Sequence, residues 1–374
     1  MIFPPFSSIS TTLRVILKTV ILAIIINFIC LATHFNPVAT LTRVNLWGLV
    51  GHGRTRLIYQ SDVQNGILPI ESLLATHTIA YTSKAADEFR VVILGNSGPY
   101  GAGLNDDETL AAQLNQRNIR INGKHLVAYN LAFANANVVI STGILDASLS
   151  YSPDLVISFV TANMFNNRQY YWDQQNVFFL LNRERLEQIA TRYNMIDWLM
   201  PRLSPHPTGY ELLGIRDQNT LIPWFDSLFY PFVQYPIQHP NLRIAKVLIP
   251  AKPNNFDDIE GTYPIINPTW NFLDISQQMA ESVGARLLIV NQPTVVVEDP
   301  LSDVSYSKLF GRAFYDAYYA SIQSYTQAHH LWYFDMWQSV PAEDYTDSEL
   351  HLDKKGWGIV ADGLVAQIMT TYNQ

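Results

Sequence analysis

One hydroxyl and one imidazole stand out in this sequence because each follows an apolar run that predicts a buried strand. Ser97 lies in the glycine-rich segment VVILGNSGPYGAGL, and His351 lies in YTDSELHLDKKGW, four residues after Asp347. A serine hydroxyl becomes a nucleophile when a base accepts its proton and a third group orients that base. The three residue types therefore predict attack on a carbonyl, with Ser97 as nucleophile, His351 as base and Asp347 as the orienting acid.

The glycine-rich segment also fits other interpretations. A serine in such a turn is commonly structural, and glycine-rich loops also bind phosphate. Neither Lys-Ser nor Lys-Thr follows the loop, and Gly98, Gly101 and Gly103 run in the reverse order of a dinucleotide-binding motif, so nucleotide binding is disfavoured. A metal-dependent hydrolase is disfavoured because the sequence lacks an HExxH motif and has one cysteine. We therefore expect neither a metal nor a cofactor.

Five short apolar runs predict the strands that position these residues. They are nearly continuous in apolar character, as strands buried on both faces of a parallel sheet are. The runs are Phe89–Leu94, Leu126–Leu131, Leu155–Val160, Arg286–Val290 and Leu331–Phe334. Helical periods follow at 105–118, 138–149, 270–283, 307–329 and 356–372. The pattern predicts an α/β fold with a doubly wound, flavodoxin-like, five-stranded parallel sheet and helices on both faces. Ser97 and His351 then share the carboxyl edge of this sheet, where open α/β folds bind ligands.

The chain divides into four parts. Residues 89–165 and 269–374 form the predicted core, and residues 36–88 are interpreted as a stalk and wrapping segment. Residues 166–268 are rich in proline, with a helical period over 183–200 and no sustained period afterwards. This part is predicted to be an inserted, mostly helical or irregular subdomain, which is either a substrate-shaping lid or structural packing.

The amino-terminal residues 1–35 contain an apolar segment, Val15–Ala32, preceded by Arg14 and interrupted by Lys18. Eighteen residues at the helical rise span about 27 Å, close to the thickness of a bilayer core. Positive charge before the segment favours an amino terminus in the cytoplasm and a domain outside it. A single-pass membrane anchor is therefore predicted; a cleaved secretion signal and a buried core helix are the alternatives.

Composition narrows the class of partner. The chain of 374 residues is 48% hydrophobic, which is enough for a sizeable core. Its formal net charge of −8 disfavours a nucleic-acid partner, because phosphate binding requires clustered lysine and arginine. The single cysteine excludes a disulfide framework within the chain.

Five sequence blocks, in order, resemble the SGNH/GDSL hydrolase superfamily. They are VVILGNSGPYGAGL, LVAYNLAFANAN, PDLVISFVTANMF, RLLIVNQP and TDSELHLDKKG. The chain is especially similar to exported, membrane-anchored branches related to polysaccharide O-acylation. The resemblance implies a Ser97–His351 catalytic pair and an oxyanion hole formed by the Ser97 and Asn135 backbone N–H groups and the Asn163 side-chain amide.

Several positions depart from the family pattern. The family usually has an acidic residue directly before the nucleophile, where this chain has Asn96. It usually has a glycine in the second block, where this chain has Asn135. The terminal acid usually stands three residues before the histidine, where this chain has Ser348. Asp347 is four residues before it, which leaves Asp344 and Glu349 as alternative acids.

The resemblance implies a serine-dependent ester hydrolase or O-acyltransferase acting outside the cytoplasm on acylated polysaccharide or other envelope esters. The expected partners are an acyl ester or glycan substrate, the membrane through the amino-terminal helix, and a membrane acyltransferase. The altered block residues leave one alternative open, a catalytically degenerate domain that binds a glycan or such an acyltransferase.

Overall fold

The computed structural model describes eleven ranges of the chain. These are residues 6–32, 53–57, 70–134, 136–165, 178–179, 182–200, 267–295, 297–299, 302–305, 312–346 and 348–372. Asn135 and Asp347 lie outside the described residues, as do most of residues 36–88 and 166–268.

A six-stranded sheet organises the core. Its strands are β1 (Glu88–Leu94), β2 (Arg120–Ile121), β3 (Lys124–Asn130), β4 (Leu155–Val160), β5 (Arg286–Asn291) and β8 (Tyr333–Asp335). The order across the sheet is β2-β3-β1-β4-β5-β8. All neighbouring pairs are parallel except β2 with β3. The five predicted parallel strands are therefore confirmed, in the order typical of a flavodoxin-like sheet.

The prediction of a purely parallel sheet of five strands was wrong at one edge. β2 adds a sixth, antiparallel strand, joined to β3 by Asn122 and Gly123, which have φ values of 49° and 81°. Positive φ at both central residues gives the turn a twist that suits a two-residue hairpin. A second, separate pair of strands, β6 (Val297–Asp299) and β7 (Ser302–Ser305), was also not predicted.

Helices cover both faces of the sheet. The helices of four or more residues are α1 (Phe6–Ala32), α2 (Ile70–Ala75), α3 (Ser97–Tyr100), α4 (Leu110–Gln116), α5 (Val138–Ser148), α6 (Arg183–Arg192), α7 (Ile196–Leu199), α8 (Asn267–Ser282), α9 (Arg312–Ala328) and α10 (Lys354–Tyr372). Short 3₁₀ turns lie at Thr78–Tyr81, Asp106–Glu108, Leu149–Tyr151, Ala162–Phe165 and Ala342–Asp344.

The strand side chains alternate between two hydrophobic clusters, one on each face. In β1, Val92 belongs to the cluster that includes α5 and α8, whereas Val91 and Ile93 belong to the cluster that includes α4 and α10. All seven residues of β1 are buried. Because a strand with two buried faces has no solvent side, its sequence reads as a continuous apolar run. At α10, Trp357 is fully buried and meets Phe159 of β4 edge to face, with ring centroids 5.8 Å apart.

The described part of residues 166–268, the predicted insertion, packs on this core. α6 buries Leu186 and Ile189, and Arg185 of the same helix bonds to Glu71 of α2 at 2.7 Å and to Asp146 of α5. The helical period read over 183–200 is thus present as α6 and α7.

The amino-terminal helix α1 has exposed apolar side chains, including Leu13, Leu17 and Leu22. Over the residues that the structure describes, no helix meets the length and apolarity required of a membrane span.

A buried histidine makes the stability of the core depend on pH. The His77 Nδ1 accepts the Ile79 N–H at 3.1 Å, and the His77 Nε2 donates to the Thr55 carbonyl at 3.0 Å. Both contacts suit the neutral ring, and complete burial lowers the pKa of His77 from 6.5 to about 4. Below pH 6.5 the unfolded chain therefore binds a proton that the folded chain does not bind.

We expect the free energy of unfolding to fall by about 2 kcal/mol between pH 7 and pH 5 through His77 alone. The measurement is urea unfolding at the two pH values for the wild type and for His77→Gln, which does not titrate. The variant should lose less stability on acidification. An equal loss in both proteins would show that His77 does not carry the effect.

Candidate active site

The turn that carries Ser97 is built by residues that allow a sharp change of direction after β1. Gly95 has φ +147°, and a Cβ there would lie 2.5 Å from Pro99 Cγ, so this position requires glycine. The Asn96 side chain caps α3 by accepting the Gly98 N–H at 3.0 Å. Ser97 is the first residue of α3 and is half-buried.

Asn96 supplies the hydrogen-bond acceptor on which the turn depends. Its Oδ1 is a hydrogen-bond acceptor, which is all that the cap requires. Its Nδ2 is buried and has no hydrogen-bond partner among the described residues. Asn96 thus holds the turn without placing a charge beside Ser97.

His351 is held by a short hairpin before α10. Tyr345 and Leu352, both buried, form an antiparallel bridge. The His351 carbonyl accepts two hydrogen bonds from Thr346, at 2.8 Å from the backbone N–H and at 3.1 Å from Oγ1. These contacts fix the backbone from which the half-buried imidazole extends.

The structure brings these two residues into hydrogen-bond contact. The Ser97 Oγ lies 2.8 Å from the His351 Nε2, although 254 positions separate the residues in the chain. At this distance a neutral imidazole with its proton on Nδ1 accepts the serine proton through Nε2. The serine oxygen is then able to attack an electrophilic carbon.

The structure describes two of the three candidate acids, Asp344 and Glu349. Asp347 lies outside the described residues. Asp344 is buried, and both of its carboxylate oxygens accept hydrogen bonds from Lys355 Nζ at 3.0 Å. This carboxylate raises the pKa of Lys355. Glu349 accepts a hydrogen bond from the Ser348 hydroxyl at 3.2 Å. Asp344 thus pairs with Lys355, and Glu349 is bonded to Ser348.

Two of the three candidate oxyanion donors, Ser97 and Asn163, follow neighbouring strands of the sheet. Leu94 of β1 pairs with Ser158 of β4, and Asn163 follows β4 in a 3₁₀ turn. Parallel strands end at the same edge, so Ser97 and Asn163 leave the sheet on one side. Asn163 is half-buried, and its Oδ1 has no hydrogen-bond partner among the described residues. Asn135 lies outside them.

We expect Asn163→Ala to lower kcat for ester hydrolysis by about 10²–10³-fold, with a much smaller change in KM. The physical reason is that an oxyanion donor acts on charge that develops only in the transition state. The measurement is steady-state kinetics on a p-nitrophenyl ester, with Asn115→Ala as the control. Asn115 also bonds through its amide, to the Ala128 backbone at 2.7 and 3.0 Å, but on α4. An unchanged kcat in Asn163→Ala would show that Asn163 is not an oxyanion donor.

Two buried polar residues that contact the site were not predicted. Asn130, at the end of β3, donates to the Pro99 and Tyr100 carbonyls at 3.0 and 3.2 Å and so holds the residues after Ser97. Gln292, directly after β5, donates to the Leu350 carbonyl at 3.1 Å. The available signal was a polar residue at the end of an apolar strand, which usually lies at the ligand-binding edge.

No family model matches the sequence. No curated protein matches it either. Among solved structures, 35 chains match. The psychrotrophic esterase EstA from Pseudoalteromonas sp. is 11% identical with a TM-score of 0.40, over 76% of this chain and 100% of its own. A GDSL-like lipase from Bacteroides thetaiotaomicron is 11% identical with a TM-score of 0.39, over 78% and 93%. A lipase/acylhydrolase from Enterococcus faecalis is 11% identical with a TM-score of 0.37, over 75% and 96%.

These three proteins are named as an esterase, a GDSL-like lipase and a lipase/acylhydrolase, and they share little sequence identity with this chain. TM-scores below 0.5 do not by themselves assign a function to it. The chemistry of the site rests on the contact between Ser97 and His351.

Proposed function

We propose that this protein is a serine-dependent carboxylic ester hydrolase or O-acyltransferase of the SGNH type. The observation that carries the proposal is the 2.8 Å contact between the Ser97 Oγ and the His351 Nε2 at the carboxyl ends of the parallel strands. Both side chains are half-buried, so an ester that binds over the edge is within reach of them.

The reaction begins when His351 accepts the Ser97 proton and the Ser97 Oγ forms a bond to the ester carbonyl carbon. The negative charge moves to the carbonyl oxygen, which the Ser97 N–H, the Asn135 N–H and the Asn163 amide stabilise. The intermediate collapses as the bond to the alcohol oxygen breaks, and protonated His351 gives its proton to that oxygen. An acyl-serine remains.

The acyl-serine is resolved by a second attack in which His351 is again the base. Water as the nucleophile releases a carboxylic acid, and a sugar hydroxyl as the nucleophile gives a new ester. Asp347 orients the imidazole and stabilises its protonated form in this proposal.

The second part of the proposal concerns location. The apolar segment Val15–Ala32, the charges of Arg14 and Lys18, and the exposed leucines of α1 support attachment to the membrane with the α/β domain outside the cytoplasm. Envelope polysaccharide esters are then the substrate class within reach. Protease digestion of intact and permeabilised cells tests this location. A domain outside the cytoplasm is cleaved in both preparations, whereas a cytoplasmic domain is cleaved only after permeabilisation.

The experiment for the activity uses the full-length protein in detergent and p-nitrophenyl esters of two to eight carbons. Release of p-nitrophenol that is unchanged by a chelator supports a serine mechanism, whereas loss of activity with the chelator supports a metal-dependent one. Adding a free sugar distinguishes hydrolysis from transfer, because a transferase forms mainly the acylated sugar and a hydrolase forms mainly the carboxylic acid. A folded protein that releases no p-nitrophenol and forms no acyl-serine would favour the binding function instead.

A further inference from the structure

Gln292 lies between the turn that carries Ser97 and the hairpin that carries His351. It is 1% exposed and directly follows β5. Its backbone N–H donates to the Val160 carbonyl at 2.9 Å, which extends the pairing of β4 with β5 beyond the last strand residue. The backbone of Gln292 is therefore held by the sheet itself.

On the side of the base, the Gln292 Nε2 donates to the Leu350 carbonyl at 3.1 Å. This carbonyl belongs to the peptide group that directly precedes His351. The following carbonyl, that of His351, is held by Thr346 from within the hairpin. Gln292 thus supplies a side-chain bond from the sheet to the backbone next to the imidazole.

On the side of the nucleophile, Gln292 lies against Gly98. A Cβ at Gly98 would be 2.0 Å from the Gln292 Nε2 and 2.9 Å from the Leu350 carbonyl oxygen. The absence of a side chain at Gly98 therefore lets one amide touch the residue after Ser97 and the residue before His351.

We propose that Gln292 is a positioning residue that sets the distance between the Ser97 Oγ and the His351 Nε2. The inference rests on the proposed function, because it concerns the reactivity of that pair. An apolar side chain of similar length fills the same space but cannot donate to the Leu350 carbonyl. The hairpin then loses its side-chain bond to the sheet, and a displacement of less than 1 Å at His351 is enough to slow the reaction about 10–10²-fold.

The test measures the rate of labelling by a fluorophosphonate in the full-length protein, normalised to the folded fraction. We expect Gln292→Met to be labelled about 10-fold more slowly than the wild type. Gln113→Met is the matched control. Gln113 is also buried and donates to the Lys354 carbonyl at 2.8 Å, but it holds the start of α10 rather than His351. Its labelling should stay within about twofold of the wild type.

A second comparison separates positioning from a general structural role. In a His351→Ala background, Gln292→Met should change the remaining labelling by less than about twofold, because its effect passes through His351. Equal slowing with and without His351 would overturn the proposal. Gln292→Leu also lacks a donor and has a smaller side chain than methionine, so it replaces Gln292→Met if that variant does not fold.

The outcomes distinguish the two proposals. If the wild type is labelled at Ser97 and Gln292→Met is labelled equally fast, only the positioning role of Gln292 is wrong. If the folded wild type is not labelled, the proposed function and the role of Gln292 are both wrong.

Discussion

Replacing Ser97 with alanine is expected to lower ester hydrolysis by at least about 10⁴-fold. The variant retains the Asn163 amide and the His351 imidazole but has no oxygen with which to form the acyl intermediate. Because Ser97 is half-buried at the start of a short helix, the free energy of unfolding should change by no more than about 1 kcal/mol.

The measurement is the rate of p-nitrophenol release by purified full-length protein, with Ser150→Ala as the control. Ser150 is exposed, and its hydroxyl donates to the Ala147 carbonyl. It precedes β4 and so lies near the amino ends of the parallel strands, whereas Ser97 lies at their carboxyl ends. The control should match the wild type. Comparable activity in Ser97→Ala and Ser150→Ala would mean that another group attacks the ester.

Replacing His351 with alanine is expected to lower hydrolysis by about 10³–10⁴-fold. The serine hydroxyl then has no base at 2.8 Å, and its proton must pass to water. Imidazole added to the solution should restore part of the activity in this variant, since the space left by the ring adjoins the Ser97 Oγ. It should not affect Ser97→Ala.

The control for this substitution is His329→Ala. His329 also bonds to another side chain, with its Nδ1 3.0 Å from Asp274 Oδ1, but it follows α9 and precedes β8, away from the carboxyl edge. We expect its activity to remain unchanged. Activity in His351→Ala close to that of the wild type, with no response to imidazole, would exclude His351 as the base.

The sequence predicts the parallel core well because each central strand is buried on both faces. Phe89–Leu94 and Leu155–Val160 are continuous apolar runs for this reason, and they form most of β1 and all of β4. β2 was missed because it has only two residues, Arg120 and Ile121, which are too few to show an alternation of apolar and polar side chains. The Asn122-Gly123 dipeptide that follows them is nevertheless a strong hairpin signal.

The candidate site was less accessible to sequence reasoning than the fold. Topology alone predicts that Ser97 and His351 share an edge, because both follow parallel strands. It does not predict their separation, which depends on the hairpin around Thr346 and on Gln292, contacts between segments far apart in the chain. Two predicted residues lie outside the described residues: Asn135, which the family resemblance implies, and Asp347, which was inferred from its position four residues before His351. Both remain predictions.

The most direct test of an activated serine is to treat the full-length protein with a fluorophosphonate and locate the adduct by mass spectrometry. The attacking serine oxygen forms a bond to phosphorus as the bond from phosphorus to fluoride breaks. The phosphonylated serine then hydrolyses too slowly to return to the free enzyme, so the adduct marks the nucleophile. We predict one adduct, on Ser97, which is absent in Ser97→Ala and forms far more slowly in His351→Ala. A folded wild-type protein with no adduct, or with an adduct on another serine, would contradict the account.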